Sequence, residues 1–318
     1  MHKVSVIVPI YNVQKHIEKC ARSLFEQTLD DIEYIFINDC TPDSSITILE
    51  NVIKEYPARQ PNIKILHQEV NGGQHIARPR GIANATGEYI IHCDPDDYID
   101  KDMYQDMYNK AVEQNLDYVW CDYKVINKDN VKINSQNCPT NKEDLLRKLI
   151  LGNYFMGALW NRMIKSSIVK NVSIINPVAP IIEDLTLVIQ YTLLSERFGY
   201  INQPYYNYII HEGGTMSSTK VRKRRECIKK NFQIILSCLQ KNGWDILLKD
   251  EIFINKFNQK QGYLPLVVEE GDHQSWINLY PEINGKIFIS PHISLHDKIG
   301  SLLILMRLRS FIYKLFHR

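Results

Sequence analysis

Residues 88–97 read Glu88-Tyr89-Ile90-Ile91-His92-Cys93-Asp94-Pro95-Asp96-Asp97, a short apolar run that stops in three carboxylates within four positions. An apolar run of this length, ended by Pro95, reads as a buried strand. Working outward, Val4 to Pro9 and Ile32 to Ile37 read the same way, as does Ile63 to Leu66. Helical spacing separates them: Ile17, Cys20, Ala21, Leu24 and Phe25; then Ile48, Val52 and Ile53 behind Asp43-Ser44; then a segment from Gln74 to Ala85. A further helix over 102–115 and a strand over Asp117–Ile126 continue the rhythm. Strands alternating with helices predict an α/β chain with a doubly wound, mostly parallel sheet. Such sheets bind ligands beyond the carboxyl ends of their strands. There the sequence places Tyr11-Asn12, Asn38-Asp39-Cys40-Thr41, Asn71-Gly72-Gly73 and the acidic turn at 94–97.

After residue 130 the alternation fades. Helical spacing returns over 145–151 and 185–194, a tyrosine-rich strand is expected over 205–210, and Lys220 to Arg225 is a basic run. The spacing is mainly helical from there on, with a loop over 271–291. A chain of 318 residues suggests about two domains, or one domain with a long appendage. The boundary is expected near 218: a catalytic unit over 1–218, with a nucleotide-sugar half (1–100) and an acceptor half (101–218), and a C-terminal, mainly helical region over 219–318.

Composition narrows the function. With 38 Lys+Arg against 36 Asp+Glu, the chain lacks the basic excess of a nucleic-acid binder. No run of 18 apolar residues marks a membrane span, and the N-terminal apolar run is too short for a secretory signal. Seven cysteines without a CxxC pair read as reduced thiols of a cytoplasmic protein. Neither GxxxxGK[ST] nor a GxGxxG after the first strand is present, so a P-loop enzyme or an ordinary dehydrogenase is not expected.

Three clustered carboxylates repel one another unless a positive charge sits among them. A hard divalent cation, Mg²⁺ or Mn²⁺, provides one and commonly shares its sphere with a diphosphate. The alternative is a solvated turn whose Asp residues cap the next helix.

Taken in order, these segments resemble the family 2 glycosyltransferases, which have the GT-A fold. Val4-Ser5-Val6-Ile7-Val8-Pro9-Ile10-Tyr11-Asn12 is similar to that family's opening strand. Asn38-Asp39-Cys40-Thr41-Pro42-Asp43-Ser44 resembles its DDGSTDxS, Gly73 to Gly81 its GxxxARNxG, and Ala85 to Asp97 its AxGEYIxFLDxDD. Glu183-Asp184 stands where the family carries an acidic pair. The likeness covers about residues 3–215. Asn38, Cys40 and Pro79 depart from the pattern, Cys40 at a turn position that usually holds glycine. The QxxRW motif of processive synthases is absent.

The resemblance implies transfer of a sugar from a nucleotide-diphosphate donor with inversion, assisted by Mn²⁺ or Mg²⁺. It places the nucleobase at Pro9, Tyr11 and Asp39, with Asp39 accepting the N3–H of uracil, so the donor is expected to be a UDP-sugar. Arg78 would face the nucleotide or diphosphate, with Arg80 nearby as a competitor. Asp94 would contact ribose or sugar, Asp96 would bind the metal, and His211 would join it there. Asp184 is the expected general base, with Glu183 the competitor. Trp160-Asn161 resembles a W-N-K segment near the acceptor, although Trp160 could equally be structural. A sugar nucleotidyltransferase and a catalytically silent sugar-nucleotide binder are the competing readings. The acceptor is expected to be a glycan or lipid-linked saccharide, in surface polysaccharide assembly; the oligomeric state stays open.

The tail over 298–318 carries Lys298, Arg307, Arg309, Lys314 and Arg318, no acidic residue, and apolar residues at helical spacing. It is expected to hold the protein peripherally at an anionic membrane surface, on the inner face of the cell membrane.

Overall fold

The computed structural model describes residues 2–128, 130–137, 141–151, 157–211, 221–308 and 310–312. The expected boundary at 218 lies outside them, as do Arg309, Lys314 and Arg318.

The strands are β1 (Val4–Ile10), β2 (Ile32–Asn38), β3 (Ile63–His67), β4 (Tyr89–His92), β5 (Tyr98–Ile99), β6 (Tyr118–Asn127), β7 (Asn130–Asn134), β8 (Arg162–Lys165) and β9 (Phe198–Ile209). The helices before the last strand are α1 (Ile17–Phe25), α2 (Ser45–Glu55), α3 (Gln74–Asn84), α4 (Met103–Glu113), α5 (Lys142–Ile150), α6 (Ser166–Val169) and α7 (Glu183–Leu194). After it come α8 (Val221–Lys241), α9 (Lys249–Gln261), α10 (His273–Asn278), α11 (Lys286–Ile289) and α12 (Leu295–Leu305).

Among the described residues the strands form one nine-stranded sheet, ordered β3-β2-β1-β4-β8-β6-β9-β5, with β7 paired to β6. The run β3-β2-β1-β4 is parallel throughout, which is the doubly wound half read from the sequence. β8 was not foreseen. It pairs antiparallel with β4 on one side and β6 on the other, and so joins the parallel half to the parallel pair β6-β9. β9 begins earlier than the tyrosine-rich segment suggested, because it continues through Pro204. That proline sits at a register shift opposite Asp122, where a missing N–H costs the ladder nothing.

Every residue of β1 is buried. Its side chains alternate between two cores: Ile7 faces one, and Val4, Val6, Val8 and Ile10 face the other. The Ile7 core continues without a break through α5 and α7 into Phe232 and Leu239 of α8, Trp276 of α10 and Ile304 of α12. The C-terminal helices thus share a core with the sheet. The segment 271–291, expected to be a loop, instead holds α10, a 3₁₀ turn at Pro281–Ile283 and α11. Asp272 caps α10 by accepting the Ser275 N–H at 3.0 Å, and Trp276 and Ile287 are fully buried. Elements this short give too few turns for helical periodicity to register.

Gly87 enters β4 against the backbone of β1. A Cβ there would lie 2.5 Å from the Ser5 nitrogen and 2.7 Å from the Val4 carbonyl carbon. Main-chain atoms cannot swing aside, so Gly87→Ala should force the two strands apart. We expect a loss of about 2 kcal/mol of unfolding free energy, read as a lower urea midpoint at unchanged slope.

Candidate active site at the carboxyl edge of the sheet

The loops after β1 and β2 are stitched together. Thr41 Oγ1 accepts the Asn12 N–H at 2.8 Å, Ser45 Oγ accepts that of Val13 at 3.1 Å, and Asp43 accepts that of Gln14 at 2.9 Å. Two residues in these loops take left-handed backbone, Asn12 (φ 55°) and Cys40 (φ 55°). The Cys40 position is the one where the sequence departs from glycine. Tyr11 projects half-exposed from this rim, while Pro9 is buried in β1.

Asp39 is buried and fixes the third loop. Its Oδ1 accepts the Gly72 N–H at 2.8 Å and a bond from Gln68 Nε2, and its Oδ2 accepts the Gly73 N–H at 2.7 Å. Gly73 (φ 78°) can present its N–H this way because it carries no side chain. Gln68 was not singled out in the sequence; a lone amide between two motifs carries no spacing signal.

The acidic turn divides into three roles. Asp97 is buried and tied to β9, accepting the Tyr206 hydroxyl at 2.8 Å and the Ile209 N–H at 2.7 Å. Asp94 accepts Arg78 Nη2 at 2.9 Å. Asp96 is the outward one: its carboxylate is 41% exposed, with His211 Nε2 at 3.9 Å from Oδ2. The His211 ring lies 4.1 Å from that of His16. No group of three or more His, Cys, Asp or Glu side chains is arranged to hold a metal among the described residues.

Arg78 was expected at the nucleotide or diphosphate. Its guanidinium is 1% exposed, and Asp94, Asp184 and, at 3.6 Å, Glu183 surround it. A buried cation must be neutralised by the carboxylates within reach. The positive charge that the acidic turn called for is therefore partly supplied from α3. Arg80 turns the other way, donating to the His67 carbonyl at 2.6 Å.

Glu183 and Asp184 form the first turn of α7, behind Ile182 in left-handed backbone (φ 56°). A β-branched residue seldom adopts this conformation, and strain of this kind collects at functional sites. Asp184 Oδ2 also accepts the Leu159 N–H at 3.3 Å. The segment entering this turn hangs on Asn231 of α8. Its Nδ2 donates to the carbonyls of Ala179 and Ile181, each at 2.8 Å, and its Oδ1 accepts the Val178 N–H at 3.0 Å. Trp160 is buried, stacked at 4.2 Å on Tyr206, and Asn161 donates to the Cys121 carbonyl at 2.6 Å, so both are committed to packing.

This edge carries the motifs in the order a single family shares: residues 5–173 match the family described as Glycosyl transferase family 2. The chain belongs to that family. The glycosyltransferase EpsJ of Bacillus subtilis is 46% identical over 120 residues, 38% of this chain and 33% of EpsJ. A poly(ribitol-phosphate) beta-glucosyltransferase of Bacillus spizizenii is 36% identical over 128 residues, 39% of this chain and 20% of that protein. The matched part thus spans a third or less of either relative. Staphylococcus aureus TarS 1-349, solved in complex with UDP-GlcNAc, superposes with TM-score 0.74 at 22% identity, covering 98% of this chain and 90% of that one. The GT-A architecture, with its helical C-terminal region, is therefore common to both.

In this family 2 glycosyltransferase, burial dominates the carboxyl cluster. It pushes Asp94 up to about 7 and Glu183 up to about 8; Asp184 pushes both the same way, and Arg78 opposes. Glu183 thus keeps its proton near neutral pH in the folded protein and sheds it near 4.5 when unfolded. The folded state holds the extra proton, so its stabilising share is full below pH 4.5 and is lost as pH rises toward 8. Glu183→Gln cannot titrate. Between pH 5 and 8, without divalent metal, its stability should rise relative to wild type by on the order of 1–3 kcal/mol, measured by urea unfolding.

Proposed function

We propose that this family 2 glycosyltransferase transfers a sugar from a UDP-sugar to a hydroxyl of a glycan or lipid-linked saccharide, with inversion and metal dependence, in surface polysaccharide assembly. One observation carries the reading. The Glu183-Asp184 turn is drawn by Arg78 to the end of β4 beside Asp94, on the same rim as the half-exposed Asp96 and His211. The names of the relatives support the polymer context, and the TarS complex supports a UDP donor.

On this reading Tyr11 stacks on the base. Asp39 has three of its roughly four acceptor positions in use, leaving one for the uracil N3–H. Asp94 faces ribose or sugar. Asp96 and His211 are the residues that would hold a divalent cation: the carboxylate is 3.9 Å from the imidazole Nε2, which also rests 3.3 Å from the Asp96 carbonyl. Bound there, Mg²⁺ or Mn²⁺ would screen the charge that builds on the departing UDP.

Asp184 is the base. The acceptor oxygen attacks the anomeric carbon as the bond to the UDP oxygen breaks on the opposite face, and Asp184 takes the hydroxyl proton as the new bond forms. Glu183 suits that role less, since burial keeps it protonated. Arg78 is a positioning residue that holds the base without touching the acceptor. We assign the donor half to 1–100, the acceptor half to 101–218 and the supporting helices to 219–318. A lipid-linked acceptor would place the protein peripherally at the cytoplasmic face of a membrane; no helix among the described residues is long and apolar enough to cross one.

The test pairs binding with turnover. UDP with Mn²⁺ should raise the melting temperature, by the equivalent of about 2.7 kcal/mol at one hundred times Kd. Asp96→Asn should lose the metal-dependent part of that shift. Asp184→Asn should keep UDP binding and lose transfer by about 10²–10⁴-fold. A shift with GDP or ADP but not UDP would overturn the donor. Active Asp184→Asn beside inactive Glu183→Gln would move the base to Glu183. UDP binding without turnover of any UDP-sugar would favour the silent binder.

A further inference from the structure

Helix α12 has two opposite faces, and both carry information. Gly300, Ser301 and Ile304 face inward and are buried. On the far side, Leu295, Ile299, Leu302 and Met306 recur at i, i+4, i+7 and i+11, the spacing of one straight stripe. All four are exposed, by 43 to 73%. Ile289, at the end of neighbouring α11, and Phe311 add further exposed apolar surface, at 83% and 57%. An amphipathic helix on a soluble core ordinarily shows polar residues outward. Here the outward face is the apolar one, contiguous over three turns, and a patch of this kind marks an interaction surface.

Charge selects the partner. Lys298 lies on α12 one residue before Ile299, Arg307 follows the helix and donates to Gln274 Oε1 at 3.3 Å, and the sequence from 298 to 318 contains five Lys or Arg and no Asp or Glu. The nearest acid, Asp297, is turned to its own surroundings, accepting Gln261 Nε2 at 2.9 Å and Ser294 Oγ at 2.7 Å. An exposed apolar stripe in a stretch of sequence rich in Lys and Arg and without acids after Asp297 fits the boundary between acyl chains and anionic headgroups: the apolar side chains enter the hydrocarbon edge and the cations meet lipid phosphates. A protein partner of matching shape would have to bury this stripe against apolar residues and supply acids to these cations. A lipid surface meets both demands without any specific fit.

We propose that the outer face of α12 docks the protein on an anionic lipid bilayer. The proposal shares the membrane location with the function proposed above but rests on its own observation. The two are tested by different readouts.

The 318-residue protein is floated with vesicles of phosphatidylcholine alone and of phosphatidylcholine with phosphatidylglycerol. Wild type should float with the anionic vesicles and several-fold less with the neutral ones. The triple variant Ile299→Ser, Leu302→Ser and Met306→Ser changes only exposed side chains, so its melting temperature should match wild type. Its bound fraction should fall about tenfold or more, since each substitution removes two or more buried carbons from the bilayer. Lys298→Glu with Arg307→Glu should abolish the preference for anionic vesicles. UDP-sugar hydrolysis, run in parallel without lipid, should be unchanged in both variants. A failure of wild type to hydrolyse any UDP-sugar would count against the donor reading while leaving flotation intact. Absent flotation of wild type, or equal flotation of the triple variant, would overturn the docking face. So would a wild-type dimer that becomes monomeric in the triple variant with no lipid binding by either, since a second copy would then cover the stripe.

Discussion

A single buried guanidinium ties this molecule together at the carboxyl edge of its sheet. Arg78 is 1% exposed, and an unpaired cation at that depth would cost several kcal/mol. It finds Asp94 sixteen residues away and Asp184 more than a hundred residues away. The first turn of α7 is thereby held at the end of β4. The same constraint sets the protonation of the cluster. Three carboxyl groups share one cation, so burial and mutual repulsion hold a proton on Glu183 near neutral pH.

The other side of that turn is held by the C-terminal region. Asn231 of α8 takes both carbonyls and the N–H of the segment that delivers Ile182, Glu183 and Asp184, and the apolar core runs on from α7 into α8 and beyond. The family match ends at residue 173. The acidic pair and the helix that positions it therefore lie beyond the most recognisable part of the chain. The C-terminal helices thus support this turn from behind, and the fold superposes on TarS over 98% of the chain.

Among the described residues, three of the seven non-glycine residues with left-handed backbone lie on this rim. Asn12, Cys40 and Ile182 each sit where a loop turns to bring a polar group to the edge. Their hydrogen-bonded neighbours hold these turns: Thr41 for Asn12, the Asn38 side chain for Thr41 after Cys40, and Arg78 for the turn after Ile182. Cys40 shows that the turn survives without its usual glycine.

The sequence alone determined the parallel half of the sheet, because fully buried strands read as continuous apolar runs and their connecting helices show a clear period. It also determined which loops meet at the carboxyl edge, since in a parallel sheet every strand ends on the same side. The ordered motifs at 4–12, 38–44, 73–81 and 85–97 then pointed to the family. The antiparallel β8 and the short helices over 271–291 escaped, being too brief to show a period. The partners of each charged side chain escaped too. The family resemblance placed Arg78 at the nucleotide or diphosphate. Only the tertiary structure showed that its guanidinium is buried among Asp94, Glu183 and Asp184. The tail showed its basic, apolar composition in sequence, but which face of α12 would be buried depended on packing against α10 and α11. A one-dimensional pattern fixes spacing along a helix; which side meets the core is set by contacts between segments far apart in the chain.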